Sequence, residues 1–269
     1  MLSVPFGQNI VTTSSYSLAY QEAPPEQSGK VMGLVESTYT LGALTGPAVS
    51  GFLYDFRGLF LPPLTFGGAS LAFGILATFL HKPNNTNDVV NNTGSNLGQV
   101  VRVKRVAVVV FTVFLASISC RWYESTIGPY LSEKFDSSKS VIGLVCSSQA
   151  LSYMIFTLIF GSLIDKGLDT FTTIVIGFSF LAASKVNMYF SQDLGLLTFG
   201  IFVHGIGWAA ALIGGLVDMI RTIQDSRSSS MVASQLASCL YIGAAASGNG
   251  LGTLIGGFAY DQVLSLIHI

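Results

Sequence analysis

Apolar residues along this chain gather into runs of about 18 to 25, the length that spans a hydrocarbon core, parted by short polar breaks. The runs predict eight membrane helices, near 3–20, 30–54, 61–80, 106–131, 140–164, 170–190, 194–220 and 231–260. The first is the weakest and ends at Pro24 and Pro25, which break a helix. The loops between are short except at 82–105, which is polar and rich in Asn.

The second run carries the most demanding spacing: Gly33, Gly42, Gly46-Pro47, then Ser50-Gly51. Gly42, Gly46 and Ser50 are four apart and share one helical face, where small residues let two backbones approach. Pro47 removes a helical N–H and crowds the preceding turn, so a bend is expected there. A bent helix with one face stripped of bulk is expected to pack tightly on a partner and rock against it. The stretch Gly46-Pro-Ala-Val-Ser-Gly-Phe-Leu-Tyr-Asp55 aligns without gaps on Gly252-Thr-Leu-Ile-Gly-Gly-Phe-Ala-Tyr-Asp261, an offset of 206 residues that also sets Gly42 on Gly248. Thr253 replaces Pro47 in the repeat, so the second copy is expected to be straighter. Matching helices six spans apart, divided by a polar linker, imply two homologous halves of six helices each.

Composition agrees with the runs. Only 10% of the 269 residues are charged, against about 25% in soluble domains, and the mean hydropathy is +0.60. The fold class is an all-α polytopic protein, integral to the membrane, with the lipid bilayer as its solvent. The net charge of −1 gives no reason to expect a nucleic acid partner. No G-x-x-x-x-G-K-[ST] stretch, nucleophile–base pair or metal constellation is visible, so no enzyme, cofactor or metal is expected. Cys120, Cys146 and Cys239 stand singly in apolar runs and are expected to be buried spectators.

Basic residues orient the chain. Lys30, Lys82, Arg102, Lys104, Arg105, Lys166, Arg221 and Arg227 fall on one side, and Arg57, Lys134 and Lys139 on the other. The first side is cytosolic, and the long linker with it. Asn84-Asn-Thr86 and Asn91-Asn-Thr93 match the glycosylation triplet but, in a cytosolic linker, are chance products of an Asn-rich stretch.

Together these features resemble the major facilitator superfamily, the twelve-helix secondary transporters. The 33–51 spacing is similar to its antiporter motif on the fifth helix. Gly161-Ser-Leu-Ile-Asp165-Lys166-Gly167 is similar to the second-half copy of its helix–loop motif, although the last glycine comes one position early. Finer stretches resemble the vesicular amine transporters, solute carrier family 18, and most of all their polyamine-transporting branch. These are Gly29-Lys-Val-Met-Gly-Leu-Val-Glu36-Ser, Gly51-Phe-Leu-Tyr-Asp-Phe-Arg-Gly-Leu-Phe-Leu-Pro62 and Tyr123-Glu124-Ser-Thr-Ile-Gly-Pro129-Tyr-Leu-Ser-Glu133. Ser125 departs from that pattern, where a Pro often follows the Glu.

On the twelve-helix plan the runs count as helices 4 to 11, a partial major facilitator fold. Residues 1–81 are then the end of the first bundle (helices 4 to 6), 82–105 the cytosolic linker, and 106–263 the second bundle (helices 7 to 11). Residues 264–269, Leu-Ser-Leu-Ile-His-Ile, are what a transposase adapter used in sequencing libraries encodes, and are expected to be an artefact. The chain is expected to be a fragment, inactive by itself without helices 1 to 3.

A proton-coupled transporter needs ionisable groups at membrane depth. Glu124 pairs with Arg121 at i, i+3, either as a coupling acid or as part of an interfacial belt. His204 lies beside Gly205 and Gly207 and is either a titrating group or a neutral ring hydrogen-bonded across a helix pair. Glu36 is either a gating acid or an end-of-helix acid reaching the interface. Asp218 and Lys185 are expected to snorkel. Asp165, with Gly161 and Lys166, is expected to accept N–H groups from a neighbouring helix start and hold the cytosolic side shut. Gln235, Tyr241, Ser247 and Asn249 either line an aqueous cavity or bond helices together.

The expected function is secondary active transport by alternating access, with small molecules as cargo. The resemblance implies proton-coupled antiport of an organic amine or polyamine, in a vesicular or plasma membrane. The competing reading is a non-transporting membrane sensor or assembly partner of the same fold.

Overall fold

The computed structural model describes residues 3–80, 103–137, 139–225 and 230–267. Most of the linker, both glycosylation triplets and residues 268–269 lie outside them. Among the described residues eight long helices follow one another: α1 (Ser3–Glu22), α2 (Ser28–Arg57), α3 (Leu61–Leu80), α4 (Lys104–Phe135), α5 (Lys139–Asp165), α6 (Thr170–Phe190), α7 (Leu194–Asp225) and α8 (Ser230–Ile267). Each apolar run becomes a helix, because in hydrocarbon every backbone polar group must be satisfied within its own segment. Four contain windows long and apolar enough to cross a membrane: Lys104–Phe135, Val141–Asp165, Thr170–Phe190 and Leu194–Asp225. α2 runs unbroken through Pro47.

α7 is the central post. Ala209 to Ile220 is buried without a break, as expected of a helix that is apolar all round. Its glycines set the spacing: a Cβ on Gly207 would lie 2.7 Å from the Gly177 carbonyl oxygen of α6, and one on Gly215 would lie 2.8 Å from Val113 of α4. The most extensive helix pairs are α6 with α7, α4 with α8, α2 with α5, and α5 with α7. α1 lies against α8 and α2, so the segments before and after the linker interlock.

The repeated glycine faces are not packed alike. In α8, a Cβ on Gly252 would lie 2.7 Å from the Ile118 carbonyl oxygen, and one on Gly256 2.8 Å from that of Trp122, with Gly248 equally close to Phe114. In α2, Gly42 and Gly46 have nothing within 4 Å. The tight packing expected at Gly42 and Gly46 is therefore absent in this conformation, while Gly33 provides it: its Cβ would lie 2.5 Å from the Thr157 carbonyl oxygen of α5. The side chains of Pro47 and Ser50, and the surroundings of Gly51, lie outside the described residues.

Candidate functional site

Glu36 sits nine residues into α2, about 12 Å along its axis from Ser28. It is 3% exposed, so it is no end-of-helix acid reaching the interface. Three tyrosine hydroxyls donate to it: Tyr16 of α1 and Tyr241 of α8 to Oε1, and Tyr153 of α5 to Oε2, each at 2.8 Å. A buried carboxylate without partners costs far more than a buried amide, and charge-assisted O–H donors offset that. The cage is held in shape by its rings. Tyr16 and Tyr241 meet edge to face at 5.9 Å, and Tyr153 lies 4.4 Å from Trp208 of α7.

The cage forms part of the wall of a cavity of about 680 Å³. Across it, on α4, Arg121 and Glu124 form their i, i+3 ion pair, half-exposed to the cavity. The Cys120 thiol donates to Glu124 and accepts from Gln149 Nε2 at 3.2 Å. Trp208, Tyr241 and Asn249 also line the space, and the Trp208 indole N–H and Asn249 Oδ1 are buried without a protein partner. Of the polar run in α8, Ser247 instead bonds its own helix through the Gly243 carbonyl, and Gln235 is exposed. Cys146 lines the cavity and Cys239 is exposed, so only Cys120 fits the expectation of burial.

One end of the cavity is closed. Asp165, at the end of α5, accepts the Gly29 N–H at 2.8 Å and the Lys30 N–H at 2.7 Å, capping the start of α2. The turn after it is closed by Gly167 at φ +104, a left-handed position that favours glycine. Lys166 points to solvent. Gly29 and Gly161 bring the two backbones into contact, Gly33 rests on Thr157, and the Ser37 and Thr157 hydroxyls bond at 2.8 Å. Past Ser37 the helices part: Gly42 and Gly46 on α2, and Gly143 on α5, face open space. By the basic-residue pattern the shut end is cytosolic.

The remaining acids and bases fall elsewhere. His204 is fully buried with neither ring nitrogen hydrogen-bonded; it packs 5.3 Å from the Tyr123 ring and does not line the cavity. The expected hydrogen bond across a helix pair is not formed. Asp218 does not snorkel: it is 1% exposed and takes a bidentate bond from Arg105, with Nε at 3.1 Å from Oδ2, plus the Thr170 hydroxyl. Lys185 turns inward too, donating to the Ser119 carbonyl at 3.2 Å, 5.0 Å from the Tyr123 ring and 5.4 Å from that of Trp122. Arg105, itself exposed, lies within reach of Asp218, and the aromatic faces within reach of Lys185, so neither charge extends to water alone. Sequence reasoning named Tyr241 in the polar run of the last helix but missed Tyr16 and Tyr153, which carry no motif; an acid in an apolar run was the one local signal for the cage.

Residues 5–123 match the family model described as Major Facilitator Superfamily. That matched stretch holds the caged acid Glu36, in a cavity between helices on both sides of the linker, and four of the described helices are long and apolar enough to cross a membrane. The chain is similar to the MFS-type transporter SLC18B1 of Homo sapiens, 25% identical over 261 residues covering 94% of this chain and 56% of the relative. The synaptic vesicular amine transporter of Homo sapiens is 23% identical over 190 residues, 70% of this chain and 36% of that protein. A multi-drug resistance efflux pump PmrA homolog of Lactococcus lactis subsp. lactis (strain IL1403) is 24% identical over 217 residues, 77% of this chain and 53% of the pump. The chain spans a little over half the length of the SLC18B1 relative.

Proposed function

We propose that the chain is the working core of a proton-coupled antiporter that moves an organic amine or polyamine by alternating access. The observation that carries this reading is the cavity itself. It holds a buried carboxylate, five aromatic side chains and a neutralised Arg121–Glu124 pair, which suits a protonated amine bound by charge and by ring faces. The name of the synaptic vesicular amine transporter relative supports both the amine and a vesicular membrane. Residues 1–81 would end the first six-helix bundle and 106–263 would form most of the second.

In this reading the described conformation is open away from the cytosol. The Asp165 clamp and the Gly29–Gly161 contact keep the cytosolic end shut. The face of Gly42, Gly46, Pro47, Ser50 and Gly51 closes the opposite end when the cytosolic end opens. Glu36 is the primary coupling acid, Glu124 with Arg121 a second polar anchor, and His204 a buried packing residue outside the path.

The test is uptake by the full-length protein in proteoliposomes with an acidic interior. A labelled polyamine and a labelled aromatic monoamine are offered in turn, with and without the pH gradient. Gradient-dependent accumulation of either amine is expected. Folded protein that accumulates neither, or that accumulates one equally without the gradient, refutes the reading.

A further inference from the structure

Lys185 is a cation at membrane depth with no acid paired to it among the described residues. The salt bridges there are Arg105–Asp218 and Arg121–Glu124, and Lys185 belongs to neither. It lies about 22 Å along α6 from Thr170 and about 8 Å from Phe190 at the other end. A lysine so placed can reach the nearer surface by extending its stem. Its ammonium instead turns toward the middle of α4, donating to the Ser119 carbonyl at 3.2 Å and lying 5.0 Å from the Tyr123 ring and 5.4 Å from the Trp122 ring. A carbonyl dipole and two ring faces attract a cation but leave its unit charge in place. The Cys120 thiol bears on it electrostatically, yet that thiol donates to Glu124 and is no counter-ion. An ammonium held in this way is costly unless an anion joins it.

Two more unspent groups meet at the same place. The Tyr123 ring that flanks the ammonium also packs against His204 of α7 at 5.3 Å, and Lys185 is close enough to act on His204 electrostatically. Tyr123 is 4% exposed and His204 0%, yet the Tyr123 hydroxyl and both His204 ring nitrogens are buried without a hydrogen-bond partner. The ammonium has three N–H donors and spends one on Ser119, the phenol has an O–H to give, and a neutral imidazole has one N–H. Donors from three helices therefore surround one ring, together with one positive charge. We propose that a halide ion such as chloride binds between α4, α6 and α7, as the counter-ion of Lys185 and the acceptor for the Tyr123 and His204 donors. One ammonium answers one negative charge, so a sulfate or phosphate would bury a second one unpaired. None of the three side chains lines the large cavity, so the ion lies off the amine path and ties the second bundle together from within.

Trp122 offers the readout, since an iodide held at Lys185 Nζ sits beside its indole and quenches it. The full-length protein, with every tryptophan but Trp122 replaced by Phe, is titrated with iodide at an ionic strength kept constant with gluconate. The expected result is a saturable quench above the collisional slope, which chloride displaces. Chloride at about ten times its own half-saturating concentration should raise the iodide midpoint about elevenfold, as competition for one site requires. Lys185→Met is expected to leave the collisional slope alone. Tyr123→Phe keeps the ring beside the ammonium but removes its O–H, and is expected to weaken iodide about tenfold. A wild-type quench that does not saturate, that chloride does not displace, or that Lys185→Met leaves intact overturns the proposal, and so does an unchanged midpoint in Tyr123→Phe. Should Lys185→Met not fold, the wild-type competition and Tyr123→Phe decide. The titration uses neither amine nor gradient, so its failure leaves the transport reading standing, and a failure of amine uptake leaves the halide site standing.

Discussion

Two glycine faces of one spacing, 206 residues apart, end in opposite situations. Gly248, Gly252 and Gly256 lie on the backbone of α4, closer than any Cβ would allow, whereas Gly42 and Gly46 touch nothing within 4 Å. The spacing specifies that a face can be closed, and the conformation decides whether it is. A closed face is part of the architecture; an open one is available to a moving part. The single proline fits this division, since Pro47 stands in the open copy and Thr253 in the closed one.

The largest effect should come from filling the closed face. Gly252→Leu sets a side chain against the Ile118 carbonyl and is expected to cost about 3 kcal/mol or more, as overpacking of a tight contact does. For a chain of this size that lowers Tm by roughly 6–12 °C, read by thermal unfolding of the purified protein. Gly46→Leu sharpens the contrast. Its Cβ meets open space in this conformation, so stability should stay within about 0.5 kcal/mol of wild type and surface abundance unchanged while amine uptake is lost. Wild-type uptake by Gly46→Leu at normal abundance would show that its face never closes.

Asp165→Ala should act at the shut end. Losing two charge-assisted bonds to a partly exposed helix start costs about 1 kcal/mol and should raise labelling, from the cytosolic side, of a cysteine replacing Thr40 in the cavity wall. Unchanged labelling would remove the clamp from the gating scheme. The smallest effect belongs to Asp169, the exposed cap of α6, whose carboxyl is held below the usual range by the Thr172 N–H, which outweighs a slight desolvation, and by the Thr172 hydroxyl. Its depressed value means that the cap contributes above the unfolded value of about 3.9 and is lost as pH falls through the folded one. Asp169→Ala should lower Tm by about 1–2 °C at neutral pH and by nothing once both forms are acid. A difference that persists in acid would assign the loss to something other than the charge.

The helices were legible because apolar run length and backbone satisfaction in lipid leave few alternatives, and their ends fall within about five residues of where the runs stop, except that α8 continues seven residues past the expected 260 to Ile267. The repeat was legible from ten consecutive positions. The cage was not, because Tyr16, Tyr153 and Tyr241 come from three helices and meet only in space. Asp218 and Lys185 were misread for a related reason. Snorkelling is the right expectation for a charge near a helix end, until Arg105, or the rings of Trp122 and Tyr123, are found within reach. His204 shows the opposite error, since a polar residue amid glycines gained a ring contact and no hydrogen bond.

The Ser37–Thr157 contact makes α2 a lever. From Gly29 to Ser37 the short arm measures about 12 Å, and from Ser37 to Arg57 the long arm measures about 30 Å. A stiff arm pivoting there multiplies displacement about two and a half times, so a slip of about 1 Å at the capped end swings the far end by about 2.5 Å. In the proposed gating scheme, small strokes at one surface of the membrane would thereby be geared up into a wide mouth at the other.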